Sequence, residues 1–408
     1  MASRVLLGLD IGTSTIKAVV AENKGGKPAL RMIFKMPSAG LRKGALVDLA
    51  DTSQMIGRVF AEIRKHWRGA LKNTYVTVGT TQVKAQPSRG IVAVSRTDNE
   101  IYQDDVERAI RASQAINLAS NRMILHNVTR EFIIDGVGDV IDPLGLSGNR
   151  LEVSSLIIDV FAPHVKSLIR AIELAGGEVG GMFLNPLVAG RSVLSKAQKD
   201  LGVALVDIGY GTTGLSVYEE NKLVGVARFP VGAANISNDL AVALKIPVNA
   251  AESLKLHYGH AVARDVSLKE VIELKKFHPE SKGTISRRFV AEIIELRLAE
   301  IFEFINNELK LLGRAGQLAG GLVFVGGGAK LPGLTELGKQ ELKLSSQVGS
   351  PLNEEWIVET GEFQELFGDP EFVTALGLIL GGADQERWRP SSISSRFAIK
   401  DILRYFVP

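Results

Sequence analysis

Two short segments hold the residues with the clearest chemical use. The first is Gly8-Leu9-Asp10-Ile11-Gly12-Thr13-Ser14-Thr15-Ile16-Lys17. The second is Asp207-Ile208-Gly209-Tyr210-Gly211-Thr212-Thr213. In each, an aspartate near the end of an apolar run precedes a glycine-containing turn. Glycine lets the backbone approach a phosphate closely. The turn N–H groups and the hydroxyls of Thr13, Ser14, Thr212 and Thr213 can donate to its oxygens. Asp10 and Asp207 can hold Mg²⁺ through water, because that ion keeps much of its hydration shell. Lys17 can neutralise the outer phosphates. A third turn, Gly326-Gly327-Gly328, follows an apolar run and offers a nucleoside a surface without side chains. Alone, each turn reads as an ordinary hairpin or strand-to-helix loop. In this order, with two similar turns half a chain apart, they point to a nucleoside triphosphate held by Asp10, Gly12, Thr13, Ser14, Lys17, Asp207, Gly209, Gly211, Thr212, Thr213 and the three glycines. Asp207 is the one candidate for a catalytic group.

The elements around these turns follow from periodicity. Residues 4–10 and 16–21 read as two strands of a hairpin. Residues 52–67 have Met55, Val59, Phe60, Ile63 and Trp67 at helical spacing. Residues 74–162 have another texture: strands at 74–80, 90–94, 123–134 and 151–162, a helix over 103–115, and the loop Pro143-Leu144-Gly145-Leu146-Ser147-Gly148. That pattern predicts a small α+β unit inserted into the first domain. Helices are expected over 164–175 and 187–197. At Val203 the opening pattern returns, with strands at 203–209 and 215–218, which suggests two related α/β lobes. Residues 233–312 are mainly helical, the longest stretch placing Ile294, Leu298, Ile301, Ile305 and Leu309 on one face. A strand over 321–325 and a helix over 372–380 follow. Residues 384–395 read as a polar linker.

The chain has 408 residues, Lys+Arg 48 against Asp+Glu 45, a net charge of +3 and no cysteine. Two or three domains are expected. The composition is that of a folded chain and not of a disordered one. The balanced charge gives no argument for a nucleic-acid partner. Disulfides, thiolate metal sites and cysteine nucleophiles are excluded. Asp10 interrupts the first apolar stretch, so no signal peptide is expected, and no run of about 18 apolar residues predicts a spanning helix. His257 and His260 lack a third ligand nearby. Lys275, Lys276, Arg287 and Arg288 read as a solvated face.

The end of the chain has a different signature. At about 100° per residue, Ile399, Ile402, Leu403, Phe406 and Val407 gather on one side, with Lys400, Asp401 and Arg404 on the other and Phe397 at the start. About twelve residues at 1.5 Å each reach only ~18 Å, short of a bilayer core of ~30 Å. Such a helix can lie in the membrane interface with its cations near anionic headgroups. The alternative is a terminal helix docked on the protein itself; the polar linker before it favours the membrane.

The order of turns resembles the actin, Hsp70 and sugar-kinase superfamily. Within it, the chain is similar to the FtsA family of bacterial cell-division proteins over essentially its whole length. The matching segments are Met36-Pro37-Ser38-Ala39-Gly40-Leu41-Arg42-Lys43-Gly44, the insert with its Pro143–Gly148 loop, Ala291-Glu292-Ile293-Ile294-Glu295, Gly326-Gly327-Gly328-Ala329-Lys330-Leu331-Pro332-Gly333 and Thr374-Ala375-Leu376-Gly377. The resemblance implies an α/β, actin/Hsp70-like two-lobed fold with duplicated sheet-and-helix lobes and a small α+β insert in the first lobe. The expected units are lobe 1 over 1–83, 163–195 and 371–390, and the insert over 84–162. Lobe 2 is expected over 196–230 and 311–370, its helical subdomain over 231–310, and the tail over 391–408. It also implies ATP with Mg²⁺, self-assembly into filaments, and binding to the FtsZ C-terminal tail, to membrane lipids and to other division proteins. The expected location is the cytoplasmic face of the cell membrane at the division site. Glu252 and Lys255, three apart on a helix, fit the pair that flanks the nucleoside in Hsp70-like members. Arg288 and Arg297 are candidates for the FtsZ tail. Three departures bear on hydrolysis. Asn185-Pro186 stands where fast relatives carry Glu before Pro, Tyr210 stands where glycine is usual, and Gly214 where many relatives have Asp. Asn cannot accept a proton from water, so slow ATP hydrolysis is expected. The alternatives are a small-molecule kinase or a pilus-assembly adaptor of the same superfamily.

Overall fold

A computed structural model describes residues 5–281, 283–359, 361, 363–386 and 388. The chain opens with β1 (Val5–Ile11), β2 (Thr15–Lys24) and β3 (Lys27–Pro37), the small hairpin β4 (Leu41–Arg42) and β5 (Ala45–Leu46), then α1 (Leu49–Trp67) and β6 (Thr74–Val78). The α1 helix starts before its apolar pattern does, because the Asp48 side chain accepts from the Asp51 N–H at 2.9 Å. Next come β7 (Val83–Ala93), α2 (Gln103–Ser113), β8 (Arg122–Ile134), β9 (Val137–Val140) and β10 (Arg150–Phe161). They form an antiparallel sheet in the order β7-β10-β8-β9, on which α2 packs Val106 and Ile110 against Phe132 and Val153. The chain returns through α3 (Ala162–Leu174), β11 (Val179–Leu184) and α4 (Asn185–Val193) to α5 (Lys196–Leu201).

The second half repeats the first. It contains β12 (Val203–Ile208), β13 (Thr213–Glu219), β14 (Lys222–Phe229), α6 (Ala233–Leu244) and α7 (Val248–Tyr258). A short ribbon, β15 (Val271–Glu273) and β16 (Thr284–Ser286), leads into α8 (Arg287–Leu311), then β17 (Leu322–Val325), α9 (Leu334–Leu342) and β18 (Ser346–Val348). The short α10 (Gln364–Gly368) and α11 (Val373–Gln385) close the described chain. The first large sheet has the order β11-β6-β1-β2-β3 and the second β18-β17-β12-β13-β14. In both, an antiparallel meander of three strands is extended on one side by two parallel strands.

Both faces of each central strand are covered, as a near-continuous apolar run requires. On the first sheet, α1 and α3 bury Leu7 and Leu9 against Phe60 and Ile172, while α11 covers Leu6 and Ile33 with Leu376 and Ile379. On the second, α6 to α9 bury Val206 and Phe324 against Leu254, Leu298 and Leu337. The insert also reaches the second lobe. Arg130 Nε donates to the Leu223 carbonyl at 2.9 Å, and its Nη2 donates to that of Val224.

Three expectations change. The helix read over 187–197 is two, because Ser195 caps a new start: its Oγ accepts from the Gln198 N–H at 3.2 Å and Gln198 Oε1 accepts from the Ser195 N–H at 3.0 Å. The strand read at 90–94 begins at Val83; as an edge strand with Pro87 and largely polar side chains, it carries little apolar signal. The linker read over 384–395 does not begin at Asp384, and residues 389–395 lie outside the described residues. Asp384 and Gln385 belong to α11, Asp384 Oδ2 pairs with Arg191 Nε at 2.9 Å, and Trp388 is buried.

His126, on β8, ties the insert to the end of β11. Its Nε2 accepts from the Leu184 N–H at 3.1 Å, and its ring stacks on Phe183. Burial pushes its pKa down from 6.5 to about 4. The unfolded chain therefore takes up a proton that the folded one refuses, and stability present above pH 6.5 is lost as pH falls towards 4. His126→Gln keeps an acceptor but does not titrate. Thermal melts across this window are expected to show a flatter acid limb for the variant; equal slopes would contradict the assignment.

Candidate nucleotide-binding site

Between the two large sheets lies a cavity of about 470 Å³. Its walls are built twice from the same device. At the end of β1 the Gly12 N–H donates to the Thr15 carbonyl at 3.0 Å, and at the end of β12 the Gly209 N–H donates to the Thr212 carbonyl at 2.9 Å. Each turn thus folds back on itself and leaves its tip free to face the cleft. The turns also meet: a Cβ at Gly211 would stand 2.9 Å from Thr13 Oγ1, so a side chain there would push the turns apart or displace Thr13.

The carboxylates before the turns are both buried. Asp10 Oδ1 accepts from Thr77 Oγ1 at 2.9 Å and from Asn185 Nδ2 at 3.2 Å, and Lys17 Nζ stands 3.5 Å from Oδ2. Asp207 is less well supported. Burial, with a smaller contribution from Asp10, pushes its pKa above the usual carboxylate range, against the opposing pull of Arg228 and Lys17. Lys35 also lines the cavity and pairs with Glu371 at 2.7 Å; Lys330 lines it and pairs with Asp369 at 2.6 Å.

The triple glycine lies against the Asp207 strand. Gly326 has φ +83°, and a Cβ there would fall 2.5 Å from Asp207 Oδ1. Gly328 packs on Ile208, whereas Gly327 faces open space. Across the cavity Lys255 Nζ donates to Glu252 Oε2 at 2.8 Å, Ser237 Oγ at 3.0 Å and the Ala233 carbonyl at 3.1 Å. Burial lowers the Lys255 pKa, and Glu252 opposes that shift. The Tyr210 ring, on the second turn, faces this pair, with Lys255 Nζ 6.0 Å from its centroid.

The cavity brings together Asp10, Gly12, Thr13, Ser14, Lys17, Asp207, Gly209, Gly211, Thr212, Glu252, Lys255 and the three glycines. Thr213 is the exception. It is the first residue of β13, its side chain is buried, and its Oγ1 donates to the Val231 carbonyl at 2.8 Å. Arg288 and Arg297 lie on α8 away from the cavity. Arg297 is held by Asp239 at 2.6 and 2.8 Å and by Glu300, while Arg288 is 3.9 Å from Glu292. The membrane residues Phe397 to Val407 lie outside the described residues. Lys35, Arg228, Lys330 and Glu371 were not expected from the sequence. Lys35 and Arg228 become visible only through strand register.

The donor set fits a nucleoside triphosphate with Mg²⁺. One end offers two carboxylates, two turns of free N–H groups, cations and a buried guanidinium with unmade hydrogen bonds; the other offers bare backbone and a polar pair.

The duplicated sheets with a cleft between them define an actin-like fold. The chain resembles the PilM–PilN type IV pilus biogenesis complex (TM-score 0.68, 19% identity, 94% of this chain and 99% of that one). It also resembles MreB5 of Spiroplasma citri bound to ADP (TM-score 0.57, 12% identity, 95% and 98%). Sequence comparison narrows the class. The family model for cell division protein FtsA matches residues 204–377, and that for the SHS2 domain inserted in FtsA matches residues 80–159. Cell division protein FtsA of Bacillus subtilis is 33% identical over 379 residues, covering 92% of this chain and 83% of the relative. That of Pseudomonas aeruginosa is 30% identical over 386 residues, covering 94% and 91%. The chain belongs to the FtsA family of cell-division proteins.

The contact between the two turns is open to test. Gly211→Val sets a branched side chain against Thr13. Calorimetric titration with Mg-ATP is expected to show a loss of about tenfold or more in affinity, with unchanged far-UV circular dichroism. Undiminished affinity would separate the turns from the ligand.

Proposed function

We propose that the chain binds ATP with Mg²⁺ in this cleft, assembles head to tail into filaments, and holds FtsZ at the cytoplasmic face of the cell membrane at the division site, where other division proteins join it. The observation that carries the nucleotide part is the pair of matching turns, from opposite lobes, that meet at Gly211 and Thr13. When bound, ATP supplies an anionic chain that both lobes hold at once. Thr13 and Ser14 donate to it from one side and Gly211 and Thr212 from the other, while Gly12 and Gly209, whose N–H groups close the turns, let the backbone come close. Lys17 neutralises phosphate charge, and Asp10 and Asp207 orient the waters of Mg²⁺. Glu252, Lys255 and the glycines 326–328 flank the nucleoside.

Hydrolysis is slow in this reading. Asn185 occupies the start of α4 at the cleft, and its Nδ2 donates to Asp10. An amide in that position orients a carboxylate but takes no proton from water. ATP then serves mainly to set the angle between lobes. A head-to-tail contact that does not close makes a filament. A steady-state turnover like that of active sugar kinases would contradict the slow reading.

Membrane attachment rests on the sequence of residues 396–407. Among the described residues no helix is long and apolar enough to cross a membrane. One short amphipathic helix binds weakly, and a filament presents many copies on one surface. For the FtsZ tail, Arg288 is the freer of the two arginines, because Arg297 is engaged by Asp239 and Glu300. Co-sedimentation with anionic vesicles tests the attachment. The full chain is expected to pellet with lipid and a chain ending at Ser395 to stay in solution. Equal pelleting of both would overturn the anchor.

A further inference from the structure

The two large sheets correspond strand for strand, so their rows can be compared. In the first sheet Asp10 stands opposite Lys17, and Lys17 opposite Lys35. In the second, Asp207 stands opposite Gly214, and Gly214 opposite Arg228. Directly opposed residues of antiparallel strands share a face. Each row therefore runs from a buried carboxylate to a cation on the third strand. The middle position differs. Lys17 fills it in the first lobe, and glycine leaves it empty in the second.

That empty position decides where the second cation goes. A Cβ at Gly214 would lie 2.7 Å from Pro186 Cγ and 3.7 Å from Arg228 Nη1. The guanidinium thus lies over the space a side chain at 214 would take. From there it lines the cavity, and its Nη2 donates to Thr212 Oγ1 at 2.6 Å. Its Nε and Nη1 are buried and have no hydrogen-bond partner. Lys35, its counterpart, pairs with Glu371. Asp207 and Asp10 attract Arg228 from a distance, but among the described residues no carboxylate forms an ion pair with it. A buried guanidinium with two unmade hydrogen bonds is costly unless an anion completes it.

Strand order says which anion. Gly326–Gly328 follow β17, on one side of β12; Arg228 lies on β14, two strands away on the other side. A nucleotide with its nucleoside against the glycines and its phosphates over the β12 turn sends its last phosphate towards β13 and β14. We infer that Arg228 is the second lobe's ligand for the terminal phosphate of a nucleoside triphosphate, and that it gives the site its preference for triphosphate over diphosphate. This rests on the nucleotide reading of the cleft. Arg228 takes from lobe 2 the part that Lys17 takes from lobe 1, so the terminal phosphate closes a charge bridge that a diphosphate leaves open.

Calorimetric titration of the full chain with Mg-ATP and Mg-ADP, at one salt concentration, tests it. Arg228→Met is expected to weaken ATP by about tenfold or more while changing ADP by less than about threefold. Arg228→Lys keeps the charge and most of the packing, and is expected to fall between. Equal losses for both nucleotides would mean that Arg228 only packs, and would overturn the inference, as would ATP affinity left intact. If the Met variant does not fold, the Lys variant decides alone: an ATP-to-ADP affinity ratio equal to that of the parent overturns the inference. A parent chain that binds neither nucleotide would remove the nucleotide reading itself, and this inference with it.

Discussion

Two carboxylates of like charge, Asp10 and Asp207, are buried on facing walls of one cleft, and much of the architecture around them follows from keeping both. Burial penalises each charge, and proximity penalises the pair. Asp10 is relieved by Thr77, Asn185 and Lys17. Asp207 has fewer helpers, and its raised proton affinity is the sign of it. A carboxylate kept under such conditions is poorly explained by stability alone. A hydrated divalent cation with a polyphosphate, as proposed for this cleft, would relieve both walls together. The cost would be offset only with the lobes held at the right separation, and ligand binding would then be linked to lobe angle.

The duplication makes that link mechanical. Each lobe presents a strand, an aspartate and a self-closed turn, and the two turns touch through Thr13 and Gly211. Other contacts join the lobes as well. Asn185 begins α4, which packs between the sheets, and its amide reaches Asp10. The insert spans from its His126 contact at the end of β11 to its Arg130 contact on β14. Lys222 of β14 adds an ion pair with Asp139 at 2.7 Å. β14 thus touches both the cleft, through Arg228, and the insert.

The sequence carries the broad plan openly, and for a physical reason. Strands buried on both faces read as unbroken apolar runs, and the two Asp-Ile-Gly turns interrupt such runs at matching places. What stayed hidden depends on register and partners. Arg228 sits 21 residues after Asp207 in the chain, and only the β12–β13–β14 pairing sets them in one row. Thr213 looks like a turn hydroxyl, yet it already belongs to β13, where the alternation of faces turns it into the core. Asp384 looks like the start of a linker until Arg191, far away in sequence, claims it. The helix break at Ser195 was legible as a capping signal, but the apolar residues around it hid it.

The claim that the rest depends on is that both turns grip one ligand. A crystal structure of the full chain with Mg²⁺ and a non-hydrolysable ATP analogue tests this most directly. The account predicts a single phosphate chain contacted at once by Gly12–Ser14 and by Gly209–Thr212. A cleft left vacant at saturating ligand, or a nucleotide held by one lobe alone, would contradict it.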